Sequence, residues 1–243
     1  MLILRVFRLA STGYIVVTVD HPYDADIVTF PDNSTILAAN ITTEDQIVED
    51  LYVRVQDISF VLDQLSLPST ILSLLPELAG RIDVSKVGIF GHSLGGATAA
   101  QAMLSDCRFV GGINLDGSLF GSVIEGGLDK PFVLFAHEGK NLTTDATWAA
   151  FWPNLRGFRR ELILNGSTHG TFTDLPEVAD LIGLRAEFPQ QVTELLGSML
   201  GERASQIIAT YVSSFFGFVL HGKKSELFDG PSNDFPEVAI GAF

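Results

Sequence analysis

KVGIFGHSLGGATAAQAMLS, residues 86–105, decides the fold. Val87 to Phe90 is a short apolar run and reads as a buried strand. Gly91-His92-Ser93-Leu94-Gly95 follows at once. Gly96 and the small residues Ala97, Ala99, Ala100 and Ala102 then read as a helix. Strand, G-x-S-x-G, helix is the context of a nucleophile elbow, a sharp turn that lifts a serine hydroxyl at the carboxyl end of its strand. Glycines permit the turn and let helix and strand approach closely. The same turn aims the Leu94 N–H at the place where an oxyanion would form. Ser93 is therefore the candidate nucleophile and Leu94 the candidate oxyanion donor. A glycine-rich turn with an idle serine would show the same five residues.

Working outward, five segments read as strands: 14–19, 86–91, 109–115, 132–136 and 160–164. Tyr14 to Val19 (YIVVTV) is rich in β-branched residues, and the elbow follows the second strand. Residues 2–10 suggest a short helix, and residues 24–42 read as a loop. Thr43-x-x-Gln46 is a capping box. Ile47, Val48, Leu51, Val55, Ile58, Leu62 and Leu65 recur at helical spacing, which predicts a helix over 44–65. Residues 67–80 read as a connector, with a short helix over the site as the alternative. Trp148, Phe151, Trp152 and Leu155 share one helical face. Further helices are expected near 188–199 and 202–220, then a polar, proline-bearing tail from His221. Strands alternating with helices imply a mostly parallel sheet covered on both faces, in one α/β domain over 1–243 with 221–243 as its tail.

Composition narrows the partners. The chain has 243 residues, 47% of them hydrophobic, enough for one sizeable core. A formal net charge of −14 argues against nucleic acid, whose phosphates want clustered Lys and Arg, and against a purely electrostatic hold on anionic membranes. Cys107 is the single cysteine, so an internal disulfide is excluded. Met1 to Ala10 is apolar but broken by Arg5 and Arg8, unlike a secretory signal. The longest apolar stretch, Ile207 to Leu220, reads as too short to span a membrane. N-x-S/T sequons at Asn33, Asn40, Asn141 and Asn165 have meaning only in a secreted protein.

A serine hydroxyl needs a base, and the base an orienting carboxylate. The α/β-hydrolase order along the chain is serine, acid, histidine. His169 follows the last strand in a Gly/Ser/Thr-rich turn on the sheet edge that carries Ser93, and is the favoured base. His92 belongs to the elbow and is expected to point away from Ser93. His21, His137 and His221 are the remaining histidines. For the acid, Asp116 ends the first strand after the elbow, with Asn114 beside it, and Glu138 follows the next strand. The residues alone leave both open.

GHSLGGATAAQ (91–101), INLDGSLFG (113–121) and NGSTHGTFTD (165–174) resemble the platelet-activating factor acetylhydrolases of the serine-dependent, α/β-hydrolase type. YIVVTVDHPYDADIV (14–28) and ELFDGPSNDFPEV (226–238) are similar to them as well. The resemblance implies Ser93 as nucleophile, Asp116 as acid and His169, in the H-x-x-F-x-D stretch, as base. It also implies that no metal or other cofactor is needed and that short or oxidised acyl groups are cleaved from phospholipids. Members of that family begin with further strands and a histidine–glycine-rich loop that supplies a second oxyanion N–H. The resemblance therefore implies an N-terminally truncated chain, a weak or inactive enzyme as it stands, and secretion of a full-length form. His21 and Tyr23 are candidates to replace the second donor in part.

The leading expectation is a serine esterase acting on phospholipid acyl esters, with transient contact to a lipid interface. A broader carboxylesterase, lipase or cutinase-like hydrolase would carry the same triad, because substrate choice lies in pocket shape. A hydrolase-fold binding protein without catalysis is the reading from another class.

Overall fold

The chain enters through helix α1 (Ile3–Ala10) in the computed structural model, which describes residues 3–243; residue 2 of the expected 2–10 helix lies outside them. Residues 14–19 then run extended, and among the described residues no strand pairs with them. β-branched composition favours the extended backbone, but a strand also needs a neighbour's hydrogen bonds. Their alternation still sorts the side chains: Tyr14 and Val16 pack inward, while Ile15 and Val17 are about half exposed. The segment 24–42, expected as a loop, holds a small antiparallel hairpin, β1 (Ile27–Thr29) and β2 (Thr35–Leu37). Asp32 turns it by accepting the Ser34 N–H and hydroxyl, and Asn33 takes the left-handed conformation of the turn.

Helix α2 (Glu44–Leu65) starts where the capping box places it, with the Thr43 and Gln46 side chains exchanging bonds with each other's backbone. Leu51, Val55 and Leu62 form its buried stripe. Helix α3 (Pro68–Leu74) and a 3-10 turn at Pro76–Leu78 occupy what reads as a connector. Each opens on a proline, which fits a first helical turn because its missing N–H is not needed there.

Strand β3 (Val87–His92) and helix α4 (Leu94–Ser105) flank the elbow. There follow β4 (Phe109–Leu115), α5 (Val123–Gly126), β5 (Phe132–His137), α6 (Ala146–Phe151) and β6 (Arg159–Leu164). The remaining helices are α7 (Leu175–Leu181), α8 (Leu184–Glu187), α9 (Pro189–Leu196) and α10 (Gly201–His221). The expected tail returns to the sheet as β7 (Val238–Ala242). Sheet order is β3-β4-β5-β6-β7; the first four are parallel and β7 runs antiparallel to β6.

Strand β5 shows why two helical layers form. Side chains alternate across a strand. Phe132, Leu134 and Ala136 enter the core under α2, α4 and α6, with Leu51, Ala100, Trp148 and Phe151. Val133 and Phe135 enter the opposite core, against Ile208, Tyr211 and Phe215 of α10. Each of the larger of these side chains, such as Val133, Leu134 or Phe135, contributes roughly 1.5–3 kcal/mol when fully withdrawn from water, before entropy is charged. By length and composition the longer stretch Pro189–His221 is apolar enough to cross a membrane, although it is divided here into α9 and α10. Within α10, however, Ile207, Tyr211 and Phe215 are buried in the protein's own core.

Candidate active site

The elbow is sterically dictated. Ser93 sits at φ 57°, ψ −126°, a conformation an L-residue holds only under constraint, at roughly 1–3 kcal/mol. A Cβ on Gly91 would overlap the Gly95 carbonyl, and one on Gly96 would overlap the Asn114 amide. Gly95 itself faces open space, so the close approach rests on Gly91 and Gly96. The Ser93 N–H donates to the Leu115 carbonyl at 3.0 Å, tying the elbow to the end of β4. Leu94 is the first residue of α4, whose first-turn N–H groups have no acceptor within the helix.

The turn after β4 is built as tightly. Asn114 is fully buried; it accepts the Gly117 N–H at 2.7 Å and donates to the Gly117 carbonyl at 2.8 Å. Asp116 takes the left-handed conformation, φ 63°, and its N–H donates to the Phe135 carbonyl at 2.9 Å. Its side chain is wholly buried. His169 Nδ1 lies 2.6 Å from Asp116 Oδ2. His137 Nδ1 lies 2.8 Å from Oδ1 and 2.7 Å from Oδ2, and the His137 N–H donates to Oδ1 at 3.0 Å. Burial by itself would raise the Asp116 carboxyl. The hydrogen bonds from His137 and His169 outweigh burial and hold it well below the usual carboxylate range. Lys140 Nζ donates to the Asp116 carbonyl at 2.9 Å and pairs with Asp145 at 3.1 Å.

Ser93, Leu94, Asp116 and His169 thus line one cavity of about 390 Å³. His137 and Lys140 share its polar side, and Ile47 and Phe120 supply apolar wall. Glu138 lies apart from the His169 ring: its Oε2 accepts the Gly166 N–H at 2.7 Å and so shapes the turn that carries the histidine. His92 packs against His169. Its Nε2 is 3.0 Å from the His169 carbonyl, and the two rings are 4.4 Å apart. His21 is buried against Asp57, Nδ1 to Oδ2 2.8 Å, and neither it nor Tyr23 lines this cavity. Strand-end position marks His137 as one of several histidines near the site; its bond to Asp116 depends on sheet register, which residue types do not display. Among the described residues no group of three or more His, Cys, Asp and Glu side chains is placed to hold a metal ion.

Residues 5–187 match the family model for platelet-activating factor acetylhydrolase, isoform II. A probable 1-alkyl-2-acetylglycerophosphocholine esterase of Arthroderma benhamiae is 32% identical over 245 residues, covering 96% of this chain and 60% of that protein. A platelet-activating factor acetylhydrolase of Cavia porcellus is 28% identical over 190 residues, 69% of this chain and 43% of that protein. Among solved structures, a ferulic acid esterase from Streptomyces cinnamoneus superposes with a TM-score of 0.79 at 33% identity, over 92% of this chain and 64% of that one. The chain therefore spans less than two thirds of the length of each.

Proposed function

Because the chain belongs to the platelet-activating factor acetylhydrolase, isoform II, family, we propose that it is a serine esterase hydrolysing short or oxidised acyl esters of phospholipids. The observation that carries this reading is a strained elbow serine and a buried Asp116, bonded to the half-exposed His169, lining one cavity. In the proposed mechanism Asp116 accepts the His169 Nδ1–H, which leaves Nε2 free to take the Ser93 proton. Ser93 Oγ attacks the ester carbonyl, and the Leu94 N–H receives the developing oxyanion. The imidazolium returns its proton to the leaving alcohol, an acyl group remains on Ser93, and a water activated by His169 releases it.

The likeness to a ferulic acid esterase favours a second reading, a carboxylesterase of broader range with the same triad. We also read the chain as one domain and as part of a secreted glycoprotein. Asn33, Asn40 and Asn165 of its sequons are exposed, and a mobility shift on deglycosylation checks this. The main experiment is labelling with a fluorophosphonate ester alongside hydrolysis of 2-acetyl and 2-palmitoyl phosphatidylcholine analogues and methyl ferulate. Labelling lost in Ser93→Ala, with the acetyl phospholipid preferred, supports the proposal. Preference for methyl ferulate selects the broader esterase. A folded chain that neither labels nor hydrolyses, and that an N-terminally longer form does not rescue, selects the binding protein.

A further inference from the structure

The Asp116 carboxylate serves two histidines, and only one of them is needed as a base. We propose that His137 is a positioning residue that fixes Asp116 against His169; this rests on the triad reading given above. A carboxylate buried on a turn can rotate about its last side-chain bond unless its oxygens are held. Here the His137 backbone N–H holds Oδ1, and the His137 ring nitrogen lies across both oxygens at 2.8 and 2.7 Å. Rotation would break all three contacts, so Oδ2 stays directed at His169 Nδ1, 2.6 Å away.

The grip is itself anchored. His137 closes β5 and lies in register with Leu164 of β6, so its backbone moves only with the sheet. Nδ1 so close to a carboxylate must carry the proton, which fixes the ring's tautomer. Other charged groups approach the turn from one further side. Lys140 donates to the Asp116 carbonyl, with Asp145 as its counter-ion, and neither bonds the carboxylate oxygens. His137 and His169 therefore decide between them the orientation and the charge of the acid.

The test compares His137→Leu, which removes the ring donor, with His137→Asn, whose amide nitrogen can stand where Nδ1 stands. kcat and KM for p-nitrophenyl acetate are measured from pH 4 to 9 on protein checked by thermal melting. His137→Ala replaces the leucine variant if that chain does not fold. His137→Leu is expected to lose roughly 10- to 100-fold in kcat, the size of a lost hydrogen bond to a charged group. KM should change less than about threefold, and the acid limb should move to higher pH because the released carboxylate takes up a proton more readily. His137→Asn should recover most of the rate and return the limb. Wild-type kcat and acid limb in the leucine variant overturn the proposal. So does an equal loss in both variants with the limb unmoved, since that is the signature of packing alone. Failure to label at Ser93 both in this chain and in an N-terminally longer form refutes the triad reading instead, and the positioning role falls with it.

Discussion

Asp116→Asn is the perturbation that separates the two carboxylates left open by the sequence. Asp116 accepts from the His137 N–H, the His137 ring and the His169 ring. An amide keeps one acceptor oxygen and turns the other into a donor. Whichever way it is seated, an NH2 group faces a ring N–H or a backbone N–H. If the oxygen stays on the His137 side, His169 must give up its Nδ1 proton and place it on Nε2, where it blocks transfer from Ser93. The expected loss is about 10³–10⁴ in kcat, the scale on which a triad loses its correct tautomer. At 1.36 kcal/mol per decade that is roughly 4–5.5 kcal/mol of transition-state stabilisation. The buried mismatch costs roughly 1–3 kcal/mol of stability. The pH dependence has a defined sign. Asp116 is held below its unfolded value, so its contribution to stability is complete above about pH 4 and is lost as pH falls through the lower folded value. The asparagine variant lacks that contribution and should show a flatter stability profile on the acid side. Stopped-flow kcat on p-nitrophenyl acetate, with urea melts at pH 3 and 7, measures both. Glu138→Gln runs in parallel and should lose less than about tenfold, since an amide oxygen can still accept the Gly166 N–H. An equal or larger loss at Glu138 refutes the assignment of the acid.

Two further outcomes follow from the geometry. Gly96→Ala drives a Cβ into the Asn114 amide that shapes the 114–117 turn, and should destabilise the chain by roughly 1–3 kcal/mol, read as a lowered urea midpoint; Gly95→Ala, which meets open space, should fall well below that. His92→Ala removes the 3.0 Å contact to the His169 carbonyl and the ring packed against the base, so kcat should fall about tenfold while fluorophosphonate labelling still saturates.

The elbow was legible because its sterics admit few residues: Gly91 is compelled by Gly95 within the same turn, and Gly96 by Asn114 on the next strand. Helix α2 was legible to both ends because its cap and its stripe are local. Residues 14–19 misled because β propensity reports side chains that fit a half-buried pleated surface, whereas a strand is a pairing, and pairing is not local. Strand β7 was hidden for the converse reason. Its five residues follow a proline-bearing segment and become a strand by meeting β6, with Val238 opposite Leu164. The same limit governed the site. Ser93 and His169 could be put forward from type and order, and Asp116 only through the family resemblance, but the bond between His137 and Asp116 is set by the register of β4 on β5. Leu115, the last residue of β4, lies opposite Phe135, so Asp116 just beyond β4 comes to meet His137, the last residue of β5.

That register also explains why the base needs so much support. Ser93 leaves the end of β3 and His169 the turn beyond β6, three strand spacings away, about 14 Å at roughly 4.8 Å per strand. A side chain cannot cover that distance, so the 165–170 turn must lean back across the ends of β4 and β5. Each contact along the way is polar and specific: Glu138 to the Gly166 N–H, the Thr168 hydroxyl to the Leu195 carbonyl, His92 to the His169 carbonyl, and Asp116 to the His169 ring. The first two hold the turn's backbone, and the last two set the height and azimuth of one imidazole. Asp116, at the end of a strand between Ser93 and His169, has its carboxylate gripped by two histidines. Its order therefore limits how well the histidine can be aimed, which is why a second histidine on the same carboxylate has a mechanical role.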